Sequence, residues 1–356
     1  MPRRTTLLLT PVDGPLTPAL AACLRRSGMF RYRLVGAGRG VDPEGPWDET
    51  AVLPAPGDSG YLDALRDLVV RIGADVVVPL GDDEALAVAR GLKKIRSVGA
   101  QALVSPASVL ERLADKFRTY TTLAAAGLAV PDYDAVMEAS GLLAAVARQG
   151  FPERSVVVKP VKGWCGRGLY VLCGRDEPPH WLGTGPREQR LEPGAGPDGL
   201  PDEAWLAEVA GKGPMLVMSA LTAPAYDADV LALGGGGYAV SVRRRVNPAG
   251  SPFEGVTVLA DRSLADYCRE VARVLRLDAL HDIHVMTDRT GRPVVLEVNP
   301  RPSLGLAATL HAGLPMLDWA VARLLGSPFD AAEPDREVAI TASDMGAGFQ
   351  PGRMVE

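Results

Sequence analysis

From Thr5 to Val104 the apolar positions switch repeatedly between two periods. Thr5–Thr10 is a short apolar run, Leu16–Arg26 has helical spacing, Tyr32–Gly36 is strand-like, and Ala51–Pro54 is a short strand after a Gly/Pro/Asp-rich loop. Tyr61–Gly73 places Leu62, Leu65, Leu68, Val69 and Ile72 on one side of a helix. Asp75–Leu80 reads as a buried parallel strand, Glu84–Leu92 as a helix and Gln101–Val104 as a strand. Strand–helix alternation with continuously apolar strands predicts a doubly wound α/β unit. Gly36-Ala37-Gly38-Arg39-Gly40 lacks GxGxxG spacing and follows the second strand, so it reads as a plain loop.

Beyond this unit the pattern changes. Ser105–Leu113 and about Lys116–Ala126 are helical, the second stopping at Gly127, and Val130-Pro131 opens an extended connection. A helix follows over Ser140–Gln149. Gly174–Leu200 is rich in Pro, Gly and charge and reads as a loop insertion, followed by a short helix at Glu203–Val209. Strands are predicted at Met215–Met218, Asp227–Leu233, Tyr238–Val242 and Gly255–Leu259, with an amphipathic helix at Arg262–Leu275 and a closing helix at Pro315–Leu325. Ala331–Glu356 reads as a partly ordered tail.

Two stretches carry chemistry. The run from His281 to Arg301 is a β-hairpin turning at Asp288–Gly291, and its outgoing strand ends Glu297-Val298-Asn299-Pro300-Arg301. Side chains two apart on a strand share a face, so Glu297, Asn299 and Arg301 project together. A carboxylate and an amide oxygen suit a hard cation such as Mg²⁺, and a guanidinium suits phosphate. The second stretch, Ser155–Leu172, is a strand, a turn bearing Gly163, Gly166 and Gly168, and a returning strand. Lys159 closes the first strand, where its ammonium can reach phosphates that the loop would cover. It is no Walker A loop, since GxxxxGK[ST] is absent and no helix follows. Read alone, each stretch is also compatible with an ordinary surface hairpin. Arg243 and Arg245 alternate onto one face of their strand, which is equally the pattern of a solvated edge.

Composition narrows the classes. Apolar residues make up 47% and charged residues 23%, the globular range, and a net charge of −5 gives no case for nucleic acid. The leading apolar run, Leu7–Leu9, is too short for a signal-peptide core, and no stretch approaches a membrane span. Cys23, Cys165, Cys173 and Cys268 show no metal-like spacing, which points to reduced thiols and a cytoplasmic protein. Cys165, inside the Gly loop, reads as a passenger.

Four motifs in order resemble the ATP-grasp superfamily, in the branch of the carbamoyl-phosphate synthetase large chain and biotin carboxylase. They are Asp75–Leu80 with Asp82-Asp83-Glu84, then Asp115-Lys116 with Thr119, Leu123, Gly127 and Pro131, then Val158-Lys159-Pro160 with the Gly loop, and finally Leu296–Arg301. The resemblance spans roughly residues 5–325. It implies an N-terminal α/β (pre-ATP-grasp) domain over 1–112 and an ATP-grasp domain over 113–330. The latter divides into a lid of about 132–216 and a C-terminal subdomain of about 217–330, leaving 331–356 as a tail. It also implies that Lys116 and Lys159 contact the phosphates of ATP and that Gly163, Gly166 and Gly168 close over them. Val217, Met218 and Ala220 would form the adenine hinge, and Asp227 would lie near the nucleotide. Glu297 and Asn299 would hold Mg²⁺. Register across the turn puts His284 at the remaining metal position, where relatives carry Gln or Glu; imidazole suits Mn²⁺ better than Mg²⁺. Arg301, Arg243 and Arg245 would meet the transferring phosphoryl group or the acyl phosphate. The hinge departs from the family pattern, which has a Glu there.

The reaction so implied joins a small-molecule carboxylate to an amine, on amino-acid-like substrates in biosynthesis, through an acyl phosphate, releasing ADP and phosphate. The alternatives are a bicarbonate-phosphorylating carboxylase or carbamoyl-phosphate-type enzyme, and a non-catalytic nucleotide-binding protein. Neither nucleic acid nor membrane is expected as a partner, and a homodimer through the N-terminal domain is a family expectation.

Overall fold

The computed structural model describes residues 3–14, 17–163, 168–175, 188–191, 203–247, 254–341 and 343–344. The first sheet has five parallel strands: β1 (Arg3–Thr10), β2 (Phe30–Gly38), β3 (Glu49–Val52), β4 (Val76–Pro79) and β5 (Gln101–Ala102), in the order β3-β2-β1-β4-β5. Its central strands are the continuous apolar runs, with Leu7, Leu8, Leu9, Val76, Val77 and Val78 all at 0% exposure. Burial on both faces is what such runs require, and the helices Thr17–Arg25 and Tyr61–Ile72 supply part of the cover.

Two helices, Ala107–Leu113 and Lys116–Ala125, lead out of this unit. Asp115 caps the second, its carboxylate accepting from the Arg118 N–H at 3.0 Å. Gly127, at φ +78, then takes the left-handed conformation that stops the chain from continuing as helix. Next comes a second sheet of five strands, β6 (Tyr133–Val136), β7 (Val156–Pro160), β8 (Leu169–Leu172), β9 (Glu188–Leu191) and β10 (Met215–Ser219), in the order β6-β10-β7-β8-β9. Only β8 and β9 run parallel. Two of these strands depart from the sequence reading. The sequence pattern makes Tyr133–Val136 an extended connection and places Glu188–Leu191 inside a loop insertion. Both are four-residue strands, too short for periodicity to register.

The third sheet is antiparallel and six-stranded: β11 (Thr222–Gly234), β12 (Gly237–Arg245), β13 (Val256–Leu259), β14 (Leu280–Thr287), β15 (Pro293–Asn299) and β16 (Val338–Ile340), ordered β15-β14-β11-β12-β13-β16. Strand β16 comes from the stretch expected to be a tail, so the sheet extends past residue 330. Alternation splits the sheet into unlike faces. Ala228, Val230, Val240, Val242, Ile283, Val285 and Val298 belong to one apolar cluster with Leu264, Cys268, Val271 and Leu275 of the helix Arg262–Leu275. The residues between them, including Asp227, Asp229, Arg243, Arg245, Asp282, His284 and Asn299, occupy the opposite face.

Three polar struts fasten this sheet and its helices to the N-terminal unit. Arg301 Nε lies 3.1 Å from Asp82 Oδ1. Ser105 Oγ lies 2.7 Å from His281 Nε2. On the closing helix Met316–Leu324, Asp318 accepts from Ser27 Oγ at 2.6 Å and from Tyr32 Oη at 2.7 Å. Asp318→Ala would leave both hydroxyls without their carboxylate, so we expect a loss of about 1–3 kcal/mol, read from urea unfolding.

Candidate active site

The outgoing strand of the hairpin sets the geometry. Glu297 stands opposite His284 and Asn299 opposite Asp282, but beyond His284 the register slips, and Val285 faces Val295. Leu296 is the extra residue of a β-bulge, and such a residue is left outside the ladder. Its carbonyl accepts instead from Tyr120 Oη at 2.6 Å and lies 3.5 Å from Lys159 Nζ. Lys159 also donates to Tyr120 Oη at 3.1 Å, with its ammonium 5.4 Å from the ring centroid. Strand β7, the helix Lys116–Ala125 and β15 therefore meet at one point.

Lys116 joins them. Its ammonium is 3.4 Å from Glu297 Oε1 and bonds the Gly163 carbonyl, at the start of the Gly loop. The Lys116 N–H donates to Val161 O at 3.0 Å, which ties the helix start to the end of β7. Gly163 and Gly168 have φ of +136 and +72, conformations that side-chain-bearing residues resist. Gly166 lies outside the described residues, as does Cys165. Lys159 is 4% exposed. Burial, then repulsion from Lys116, push its ammonium down to about 7, against the pull of Glu297.

The three residues expected at the hinge, Val217, Met218 and Ala220, divide by face. Val217, at 0% exposure, packs in the lid core with Tyr170 and Trp205. Met218 and Ala220 belong to a second apolar cluster with Val157, Leu221, Met286 and Val294, which links the lid to the six-stranded sheet. The Ala220 N–H already donates to Ser155 O at 3.1 Å.

Arg243 requires a correction. It was expected beside a transferring phosphoryl group, yet it is 0% exposed, ion-paired to Asp229 and bonded to Thr309 Oγ1 and Ser303 Oγ. A guanidinium so enclosed holds the sheet to the helix Leu306–His311 and cannot meet a ligand. Arg301, 5% exposed, is held between Asp82, Asp282 (3.5 Å) and the Pro302 carbonyl (3.0 Å). Arg245 has a side-chain exposure of 17% and chelates Asp227 through Nε and Nη2. Asp227, expected near the nucleotide, is 2% exposed and turned to Arg245 and to His284, 3.4 Å away.

Asp282 is the residue that sequence reading passed over. It is 2% exposed, and its Oδ2 lies 3.0 Å from His284 Nε2 and 2.9 Å from Asn299 Nδ2. Alternation with His284 along β14 was a signal that could have found it. Asp227, Asp282 and His284 form the only cluster of three His, Cys or carboxylate side chains among the described residues. Burial opposes charge on His284, but Asp282 and Asp227 more than offset it, so its pKa is raised. Burial likewise opposes charge on Asp282, yet His284, Arg301 and Arg243 hold it well below the usual carboxylate range.

Behind Asn299 a relay has one consistent proton arrangement. Asn299 O only accepts, so His281 Nδ1, 3.0 Å away, carries the proton. Its Nε2 then accepts from Ser105 Oγ, which in turn accepts from the Asp278 N–H at 2.7 Å. Complete burial pushes the His281 imidazole down to about 4, which keeps it neutral.

A family model described as "ATP-grasp in the biosynthetic pathway with Ter operon" matches residues 212–345, the segment that carries the whole charged face. Among solved structures, a biotin carboxylase from Campylobacter jejuni, in complex with βγ-ATP, superposes at a TM-score of 0.67 with 14% identity, covering 92% of this chain and 72% of its own. The chain has the ATP-grasp fold. An L-amino acid ligase from Bacillus licheniformis aligns at 0.60 and 16% identity, over 99% of this chain and 78% of the ligase. The N5-carboxyaminoimidazole synthetase of Staphylococcus aureus, complexed with ADP, aligns at 0.63 and 14%, over 96% and 81%. No curated protein matches the chain. Among the described residues, no helix is long and apolar enough to cross a membrane.

A chain of this fold should show two outcomes. Asp229→Ala would strand the buried Arg243 guanidinium, and we expect a loss of about 3–5 kcal/mol in urea unfolding. Lys159, depressed to about 7, binds fewer protons folded than unfolded between that pH and the ordinary lysine value. Its contribution to stability therefore rises with pH through that window. Unfolding free energies measured across the window should show a steeper rise for the wild type than for Lys159→Met.

Proposed function

We propose that the protein is an ATP-dependent carboxylate–amine ligase working through an acyl phosphate, with amino-acid-like substrates. The observation that carries this reading is the convergence of Lys116, Lys159 and Glu297 where the lid, the connecting helix and β15 meet. A carboxylate resists attack because its leaving group would be oxide; phosphorylation replaces that with phosphate. Moving a phosphoryl group calls for charge neutralisation and alignment more than for a nucleophilic side chain. Lys116 and Lys159 supply positive charge beside the Gly loop, whose backbone N–H groups would face the same phosphates. Occupied by phosphates, the two lysines would be relieved of their mutual repulsion, and Lys159 would regain its proton.

The fold implies Mg²⁺, and Glu297 and Asn299 are oxygen donors that suit it; the bound ion would screen phosphate charge. Met218 and Ala220 would give the adenine an apolar wall. Arg301, clamped by Asp82 and Asp282, would organise the cleft between the N-terminal unit and β15.

ADP release measured with pooled carboxylates, pooled amines and Mg²⁺ tests the reading. Turnover should require both pools, and Glu297→Gln should lower it about a hundredfold or more. Release on bicarbonate alone would instead identify a carboxylase. Release of none under any condition, with ATP still bound, would leave a nucleotide-binding protein.

A further inference from the structure

The bulge of β15 is held by two phenols of opposite polarity. Tyr267 Oη accepts from the Val295 N–H at 3.0 Å and donates to the Ala129 carbonyl at 2.9 Å. Tyr120 Oη donates to the Leu296 carbonyl at 2.6 Å. A carbonyl only accepts, so the Tyr120 proton is committed to Leu296. Burial, then the charge of Glu297, raise the pKa of this phenol well above its ordinary value, so it stays protonated. What remains on Tyr120 Oη is a lone pair, and Lys159 Nζ donates to it at 3.1 Å.

The other oxygen beside Lys159 is a weaker anchor. The Leu296 carbonyl stands 3.5 Å from Nζ, at the outer limit of a hydrogen bond. A lysine side chain rotates about several bonds, and holding it in one geometry costs entropy. Tyr120 imposes that order during folding, before any ligand arrives. Its own ring is fixed: the residue is 1% exposed, and its centroid lies 5.3 Å from that of Tyr133. Tyr120 follows Lys116 by four residues, so both sit on one face of the helix Lys116–Ala125. One turn of helix thus presents the first lysine and anchors the second.

We propose that Tyr120 is a positioning residue for ATP, whose hydroxyl holds Lys159 where the phosphates are received and strengthens their binding through that lysine. The inference rests on the proposed contact of Lys159 with the phosphates and extends that site to a residue too deeply buried to touch the nucleotide. Tyr267 gives both of its hydrogen bonds to backbone, so it distinguishes damage to the bulge from loss of the lysine's anchor.

The test measures ATP affinity by calorimetry on the full chain with Mg²⁺, and needs neither a carboxylate nor an amine. Tyr120→Phe keeps the ring and should weaken ATP binding about tenfold. Lys159→Met should weaken it about tenfold or more. Adding Tyr120→Phe to Lys159→Met should change affinity by less than about twofold further, the non-additivity of two residues that act as one. Tyr267→Phe should leave ATP binding within about twofold of the wild type. In the wild type without nucleotide, ¹³C relaxation at Lys159 Cε should report an ordered side chain, unlike that of the exposed Lys93, and Tyr120→Phe should release it. Unchanged affinity in Tyr120→Phe, the same loss in the Lys159→Met background, or an equal loss in Tyr267→Phe would each overturn the proposal and leave the Lys159 contact standing. So would a Lys159 side chain as mobile as that of Lys93. Unchanged affinity in Lys159→Met would overturn the contact itself, and the proposal with it. The relaxation is read on the wild type, so it decides even where a variant fails to fold.

Discussion

The burial of charge on one face of the six-stranded sheet is the constraint to which the rest of this structure answers. Asp227, Asp229, Arg243, Asp282 and Arg301 are each at most 5% exposed. Charges removed from water are tolerated only when opposite charge and hydrogen-bonding groups surround them. The sheet meets that demand by alternation: carboxylates on β11 and β14 face guanidiniums on β12 and beyond the end of β15, at diagonal positions of neighbouring strands. Asp229 with Arg243, Asp227 with Arg245, and Asp282 with Arg301 are the resulting pairs.

The same demand draws in the other units. Arg301 reaches Asp82 in the N-terminal sheet's first βα turn after β4, so the two units share one ion network. Ser105 and His281 support the backbone of Asn299 from behind, and a neutral imidazole there completes its bonds without adding charge. The lid is joined differently. Its link runs through Tyr120 and the carbonyl that the β15 bulge releases at Leu296. One irregular residue in a ladder thus connects Lys159 of β7 to the strand that bears Glu297.

The charged groups fall into two environments. Toward the lid, Lys159 and Lys116 lie close enough to repel one another, with a single carboxylate between them and the sheet, an arrangement that favours an incoming polyanion. Deeper in the sheet, carboxylates and guanidiniums are already matched, and His284 and Asn299 stand at the boundary.

Much of this was determined by the sequence itself. Apolar continuity at Leu7–Leu9 and Val76–Val78 required strands buried on both faces, hence a parallel sheet covered by helices. The Glu297-Val298-Asn299-Pro300-Arg301 strand end, the lysines and the Gly loop specified an ATP-grasp pattern because residue type and spacing suffice for such motifs. Short strands such as Tyr133–Val136 and Val338–Ile340 were not legible, since a few residues carry no measurable period and form only by pairing with distant partners. The fates of the arginines were also beyond the sequence. Arg243 and Arg245 share one alternating face, yet the helix Leu306–His311 seals the first and leaves the second partly open. Asp282 likewise became significant only when β11 and β15 flanked β14 and brought Asp227 and Asn299 to His284. Alternation along a strand is local and can be read from the chain. Which face is covered, and by what, depends on residues far away in sequence, and only the tertiary structure decided it.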